Sequence, residues 1–161
     1  MLVGILSDTH DRLPAARAAV ELLRGLGCEF LIHCGDVGSG QIIDALAGAP
    51  VAFVFGNNDY DRGGMALYAK VIGVQCLGAS GRLELGGKIF FVTHGDDGKL
   101  LKKTLDNQDC DYLLLGHTHV RHDQRIGRIR VINPGALYRA TVKSVATLDT
   151  ASDLLSFHTI A

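Results

Sequence analysis

Asp8, His10, Asp36, Asn57, His94, His117 and His119 are side chains able to bind a metal ion, and each stands just beyond a short apolar run. The runs are Leu2 to Leu6, Phe30 to Ile32, Val51 to Phe55, Ile89 to Val92 and Tyr112 to Leu115. Runs of this length read as buried strands, and ligands in open α/β sheets gather at the carboxyl ends of strands. Five strand ends, far apart in sequence, would therefore deliver oxygen and nitrogen ligands to one place. Carboxylate, amide oxygen and imidazole together suit borderline first-row ions such as Mn²⁺, Fe²⁺, Ni²⁺ or Zn²⁺, whereas Ca²⁺ and Mg²⁺ favour oxygen alone. Seven ligands exceed what one tetrahedral site can use. Two ions sharing one carboxylate is the economical arrangement, and metals about 3.5–4 Å apart are a known device for in-line phosphoryl displacement.

The elements that must position these residues fall into two halves. Up to Asn57 strand and helix alternate: Leu2 to Leu6, a helix from Pro14 to Arg24, Glu29 to Ile32, a helix from Gln41 to Leu46, then Val51 to Phe55. That alternation predicts βαβ units and a parallel sheet. Pro14 suits a first helical turn, where its missing N–H would be unpaired anyway. In the second half, Arg82 to Leu85 and Lys88 to Val92 flank Gly86-Gly87, a hairpin signal. Arg121 to Arg125 meets Arg128 to Ile132 across Gly127, and Lys143 to Leu148 meets Leu154 to His158 across Thr150 to Ser152. Between the first two hairpins lie a helix from Lys99 to Leu105 and the strand leading to His117. The expected class is α/β, with two sheets face to face, helices outside, and a single domain over residues 1–161.

Composition narrows the classes further. A net charge of −1 from 16 basic and 17 acidic residues, without a Lys/Arg cluster, argues against an extended nucleic-acid surface while leaving a small phosphate-bearing substrate open. Cys28, Cys34, Cys76 and Cys110 show neither CxxC pairing nor zinc-ribbon spacing, so reduced, mostly buried thiols are expected. The apolar N-terminus reaches Asp8 too soon for a secretory or membrane segment, and a cytoplasmic protein is expected. Mean hydropathy of +0.20 with 20% charged residues leaves apolar surface to cover, so a homo-oligomer is expected as well.

The ordered blocks Asp8-Thr9-His10, Gly35-Asp36, Gly56-Asn57-Asn58-Asp59, Thr93-His94-Gly95 and Gly116-His117-Thr118-His119, closed by Asn133-Pro134-Gly135, resemble the calcineurin-like metallophosphoesterases. Within that family the blocks resemble the small prokaryotic phosphodiesterase branch. The resemblance implies a four-layer αββα sandwich of two mixed β-sheets flanked by helices. It implies that Asp8, His10, Asp36 and His119 bind one ion, and that Asn57, His94, His117 and the bridging Asp36 bind the other. Mn²⁺ or Ni²⁺ are the foremost candidates, Zn²⁺ or Fe²⁺ the alternatives, and coordinated water with a pKa near about 7 would be the nucleophile toward phosphorus. The i, i+2 spacing of Asp8/His10 and His117/His119 lets an extended segment or strand-end turn send both side chains to one side. Glycines at 35, 56, 95 and 116 are expected where a Cβ would crowd the ions.

One residue departs from the family's phosphomonoesterase pattern. Where those relatives carry a general-acid His in the GN-x-D/E block, this chain has Asn58, and a carboxamide cannot donate a proton at neutral pH. Diesters become the favoured substrate class, with Asp36, Asn58 and Asp59 as the catalytic set; Asp59 is expected to hold Asn58 or to contact a ligand. A phosphomonoesterase, or a non-catalytic interaction scaffold of the retromer-subunit type, is the alternative; a scaffold has no need of seven costly polar ligands. Arg12, Arg62 and Arg139 lie near the blocks and either contact phosphate or stay solvated. Asp96 and Asp97 would repel an anionic substrate and are given no role. His33 is expected to be structural, Cys34 a small buried hydrophobe, and His122 and His158 exposed hairpin residues. The Gly81 to Gly87 stretch lacks the Lys-Ser/Thr of a phosphate loop, and no GxGxxG marks a dinucleotide site.

Overall fold

The computed structural model describes residues 1–161. The parallel strands of the first half, β1 (Leu2–Leu6), β2 (Phe30–His33) and β3 (Val51–Phe53), join β4 (Gln75–Cys76), β10 (Ser144–Asp149) and β11 (Leu154–Thr159) in a six-stranded sheet. Its order is β11-β10-β1-β2-β3-β4, with β10 and β11 antiparallel. The second sheet has five strands in the order β5 (Ser80–Leu85), β6 (Lys88–Thr93), β7 (Tyr112–Leu114), β9 (Ile129–Pro134) and β8 (Arg121–Ile126). Both sheets are mixed, because β6, β7 and β9 run parallel while the hairpins β5/β6 and β8/β9 are antiparallel. At the first hairpin Gly86 and Gly87 both take positive φ, 57° and 72°, as a two-residue primed turn requires.

Strand alternation sorts the side chains into layers. Val3, Ile5, Ile32 and Ala52 point inward to meet Phe90, Val92, Tyr112 and Leu114 of the second sheet. Their neighbours Leu6, Leu31, Val51 and Phe53 point outward and pack under α1 (Leu13–Gly25), α2 (Gly40–Leu46) and α3 (Arg62–Ile72). On the opposite side Leu113, Ile129 and Val131 pack against Leu101 and Leu105 of α4 (Gly98–Asn107). The result is the αββα sandwich, and each fully buried side chain such as Phe53 or Phe90 contributes about 1.5–3 kcal/mol of transfer free energy. Gly4 lies where α1 crosses β1, and a Cβ there would stand 2.6 Å from Leu31 Cδ2.

Two elements were not expected from the sequence: α3 and the short edge strand β4. Gly63 and Gly64 in the first turn lower the helix propensity of α3, and exposed Leu67 and Val71 blur its apolar face. Its local signals are the caps: Asp61 accepts from the Gly64 N–H, and Gly73 closes the helix at φ 77°. No helix is long and apolar enough to cross a membrane.

Candidate metal centre

The parallel strands of both sheets end on the same rim, and their loops are stapled backbone to backbone. The Asp8 N–H donates to Gly35 O, the His10 N–H to Asp36 O, and the Gly116 N–H to His94 O, each at 3.0 Å. Asp8, His10, Asp36, His117 and His119 all occupy the left-handed region, with φ between 43° and 68°. The i, i+2 pairs therefore converge through tight turns and not through extended strand. Asp and His enter this region more readily than most side chains, and such strain concentrates at functional sites.

Hydrogen bonds hold each buried carboxylate in one orientation. Asp8 Oδ2 accepts from Ser7 Oγ at 2.6 Å and from the His117 N–H at 3.1 Å. Its other oxygen, Oδ1, faces His119 Nε2 at 3.0 Å, His10 Nε2 at 3.7 Å and His94 Nε2 at 3.9 Å. Asp36 Oδ1 accepts from the Asn58 N–H at 2.8 Å, while Oδ2 accepts from Asn58 Nδ2 at 2.9 Å and lies 3.3 Å from both His10 Nε2 and His94 Nε2. His94 Nδ1 donates to Cys34 O at 2.8 Å, which leaves Nε2 as the lone-pair nitrogen of the neutral ring. Burial by itself would raise the pKa of Asp36. Without a cation, His94 can take a second proton on Nε2, and in that form it and Asn58 outweigh burial and hold the Asp36 carboxyl well below the usual range.

Asp8 Oδ1, His10 Nε2 and His94 Nε2 are buried without a hydrogen-bond partner. Unpaired polar atoms of this kind are costly in a protein interior. Here they cluster: Asp8, His10 and His119 form one group, and Asp8, Asp36 and His94 another, with ligand atoms within 4.8 Å of one another in each. The donor set and its bare atoms fit divalent cations. The His117 ring stands 5.2 Å from that of His94, between centroids, and His117 and Asn57 are both exposed at the mouth.

The glycines divide by cause. A Cβ at Gly35 would meet His94 Nδ1 at 2.6 Å, and Cβ atoms at Gly56 and Gly116 would run into Asp36 Oδ1 and Ser7 Oγ. Space is ample at Gly95, where φ of 101° is the reason for glycine.

Asp59 does not bond to the Asn58 side chain. Its carboxylate accepts from the N–H groups of Val37, Gly38 and Gly56, tying the β2 and β3 loops together, while Asn58 bonds Asp36 directly. Arg62 is committed to the same loop, donating to Gly56 O at 2.8 Å and Asp59 O at 3.1 Å. Asn133 donates to Gly116 O and Thr118 Oγ1 and so braces the last ligand loop. No motif in the sequence marks Tyr138, whose ring packs on His10 at 5.0 Å between centroids.

With this geometry in view, comparison with known proteins identifies the family. Residues 1–153 match the family model of the calcineurin-like phosphoesterase superfamily domain. The chain belongs to that superfamily. A phosphodiesterase of Methanocaldococcus jannaschii is 33% identical over 155 residues, covering 93% of each chain. A solved archaeal phosphodiesterase superposes with a TM-score of 0.91 at 31% identity, covering 99% of this chain and all of that one. The Escherichia coli phosphoesterase YfcE shares the fold at a TM-score of 0.69 and 20% identity over the whole of both chains. The two archaeal relatives put the chain in the small prokaryotic phosphodiesterase branch of this family, whose members use divalent metals.

His33 serves the scaffold. The Gly35 N–H donates to its Nδ1 at 3.2 Å, so the ring proton sits on Nε2 and meets Thr9 Oγ1 at 2.9 Å. Burial pushes its pKa down to about 4 from 6.5. Below about pH 6.5 the unfolded chain takes up a proton that folded His33 refuses until about pH 4, so acidification favours unfolding across that window and has no such effect above it. The gap is worth about 3 kcal/mol. In urea unfolding of metal-free protein, wild type should lose about that much more stability than His33→Gln between pH 7 and pH 4; parallel pH profiles would contradict the assignment.

Proposed function

We propose that this protein hydrolyses phosphodiester bonds at a pair of divalent ions, with Mn²⁺ or Ni²⁺ the best fit. Asp8, His10, Asp36 and His119 would hold one ion, and Asn57, His94, His117 and the shared Asp36 the other. The observation that carries the reading is the grouping of three buried, unpaired ligand atoms, with His10 Nε2 and His94 Nε2 3.7 Å and 3.9 Å from Asp8 Oδ1. A protein-interaction scaffold would derive no benefit from leaving them bare. When bound, the ions would supply an activated water and neutralise the phosphate oxygens.

The chain's own residues shape the rest of the reaction. The Cys34 carbonyl fixes the His94 ring with Nε2 inward, and Ser7 and the His117 N–H fix Asp8 with Oδ1 inward. Asn58 is spanned by Asp36 on its amide nitrogen and by Tyr60 on its oxygen. A carboxamide in that position can orient a phosphoryl oxygen by hydrogen bonding but cannot protonate a leaving group. Diesters with leaving groups that depart as stable anions are thereby favoured over phosphomonoesters. Asp59 acts through the loop backbone that carries Asn57 and Asn58, as a positioning residue. Four free cysteines fit a reducing cytoplasm, and exposed Leu67 and Val71 on α3 fit self-association.

Chelator-treated protein should lose hydrolysis of bis(p-nitrophenyl) phosphate and regain it on addition of Mn²⁺ or Ni²⁺; turnover indifferent to chelation would refute metal dependence. In metal-loaded Asn58→His, the ratio of p-nitrophenyl phosphate to bis(p-nitrophenyl) phosphate turnover should rise about tenfold or more, the usual scale of a positioned general acid being about 10²–10⁴. An unchanged ratio would show that the preference for diesters arises elsewhere.

A further inference from the structure

Beside the metal centre the surface carries cations without counter-charges. Arg82, Arg125, Arg128 and Arg130 each pair with a carboxylate, whereas Arg17, Arg24, Arg62 and Arg121 do not, so an unpaired charge marks a site only where several converge. Arg12, Arg139 and Lys143 take part in none of the chain's ion pairs. Arg12 and Lys143 line a cavity of about 420 Å³ together with Pro14, Ala15, Leu137 and Tyr138, and no carboxylate lines it. Tyr138 joins this cavity to the metal centre, since its ring packs on His10. The N-terminus of α1, with no side-chain cap, opens on the same cavity and adds its partial positive charge.

Tyr138 organises the cations. The guanidinium carbons of Arg12 and Arg139 lie 4.6 Å and 5.1 Å from its ring centroid, within cation–π range. Two guanidiniums and the His10 ring thus crowd one aromatic side chain. Two like charges gathered on one phenol repel each other unless an anion joins them, and guanidinium is the side chain best matched to phosphate oxygens.

We propose that Arg12 and Arg139, with Lys143 on the same cavity, form a subsite for a second anionic group, so that the preferred substrates are phosphodiesters carrying a further phosphate. The inference rests on the diesterase reading above and narrows its substrate class. The scissile group would lie over the metal centre and the additional phosphate beside Tyr138, recognised by charge.

Two chromogenic diesters test this: thymidine 5′-(p-nitrophenyl phosphate) with and without a 3′-phosphate, assayed with Mn²⁺-loaded protein. Wild type should prefer the 3′-phosphorylated substrate in kcat/KM by about tenfold, mainly through KM, on the scale of one charge-assisted contact. The double substitution Arg12→Gln, Arg139→Gln should bring the ratio to about one, and Arg12→Lys with Arg139→Lys should keep part of it. No preference in wild type, or a ratio that survives the Gln substitutions because both substrates lose equally, would overturn the subsite. Calorimetric binding of thymidine 3′,5′-bisphosphate against thymidine 5′-monophosphate reads the subsite without turnover. If neither diester is hydrolysed but the Arg-dependent preference for the bisphosphate remains, the diesterase reading fails and the subsite stands; equal affinities would overturn the subsite itself.

Discussion

The structure turns on two buried carboxylates that face a ring of imidazole nitrogens. Asp8 has Oδ2 fixed by Ser7 and the His117 N–H and leaves Oδ1 without a hydrogen bond, while Asn58 holds both oxygens of Asp36, whose Oδ2 also faces His10 and His94. Removing a carboxylate from water costs several kcal/mol, and the cost persists unless a cation or a full set of donors replaces the lost hydration. Apolar residues in these places would make a more stable sandwich. Keeping two acids and four histidines at the rim makes sense for a molecule whose stable state includes bound cations, and a ligand that binds only the folded chain adds its binding free energy to folding.

Everything around the rim serves to hold those oxygens in place. Parallel strands in two sheets bring the chain to the same edge repeatedly, and the buried layer between the sheets fixes the distance across which His94 reaches Cys34 O. Left-handed turns at Asp8, His10, Asp36, His117 and His119 send side chains back toward the edge. Asp59, Arg62, Asn133 and His33 satisfy the backbone groups that these turns leave open, so the strain at the ligands is balanced by rigid neighbours. Asn58 is part of the same network, since the amide that replaces an acid also bonds the carboxylate at the centre.

Most of this was legible in the sequence for a simple reason: apolar runs and the ligands that follow them are local patterns. The strand ends at Asp8, Asp36, His94 and His117 could be read directly, as could the hairpins at Gly86-Gly87 and Gly127. What escaped was set by tertiary context. Helix α3 carries glycines and exposed apolar residues that its own sequence cannot explain, and it is held by packing of Met65 and Ala69. The role of Asp59 could not be read because its partners are backbone N–H groups contributed by a loop some twenty residues upstream. Tyr138 likewise comes into view only when the chain folds it onto His10, and its two arginines acquire meaning from that contact.

In the proposed function one centre holds two cations with Asp36 between them. Anomalous diffraction from crystals grown with Mn²⁺ measures this directly. Two peaks about 3.5–4 Å apart, one beside Asp8, His10 and His119 and the other beside His94, His117 and Asn57, with Asp36 touching both, is the predicted result. A single ion that leaves Asp36 on one side, or ions bound away from Asp8 Oδ1 and His94 Nε2, would contradict it.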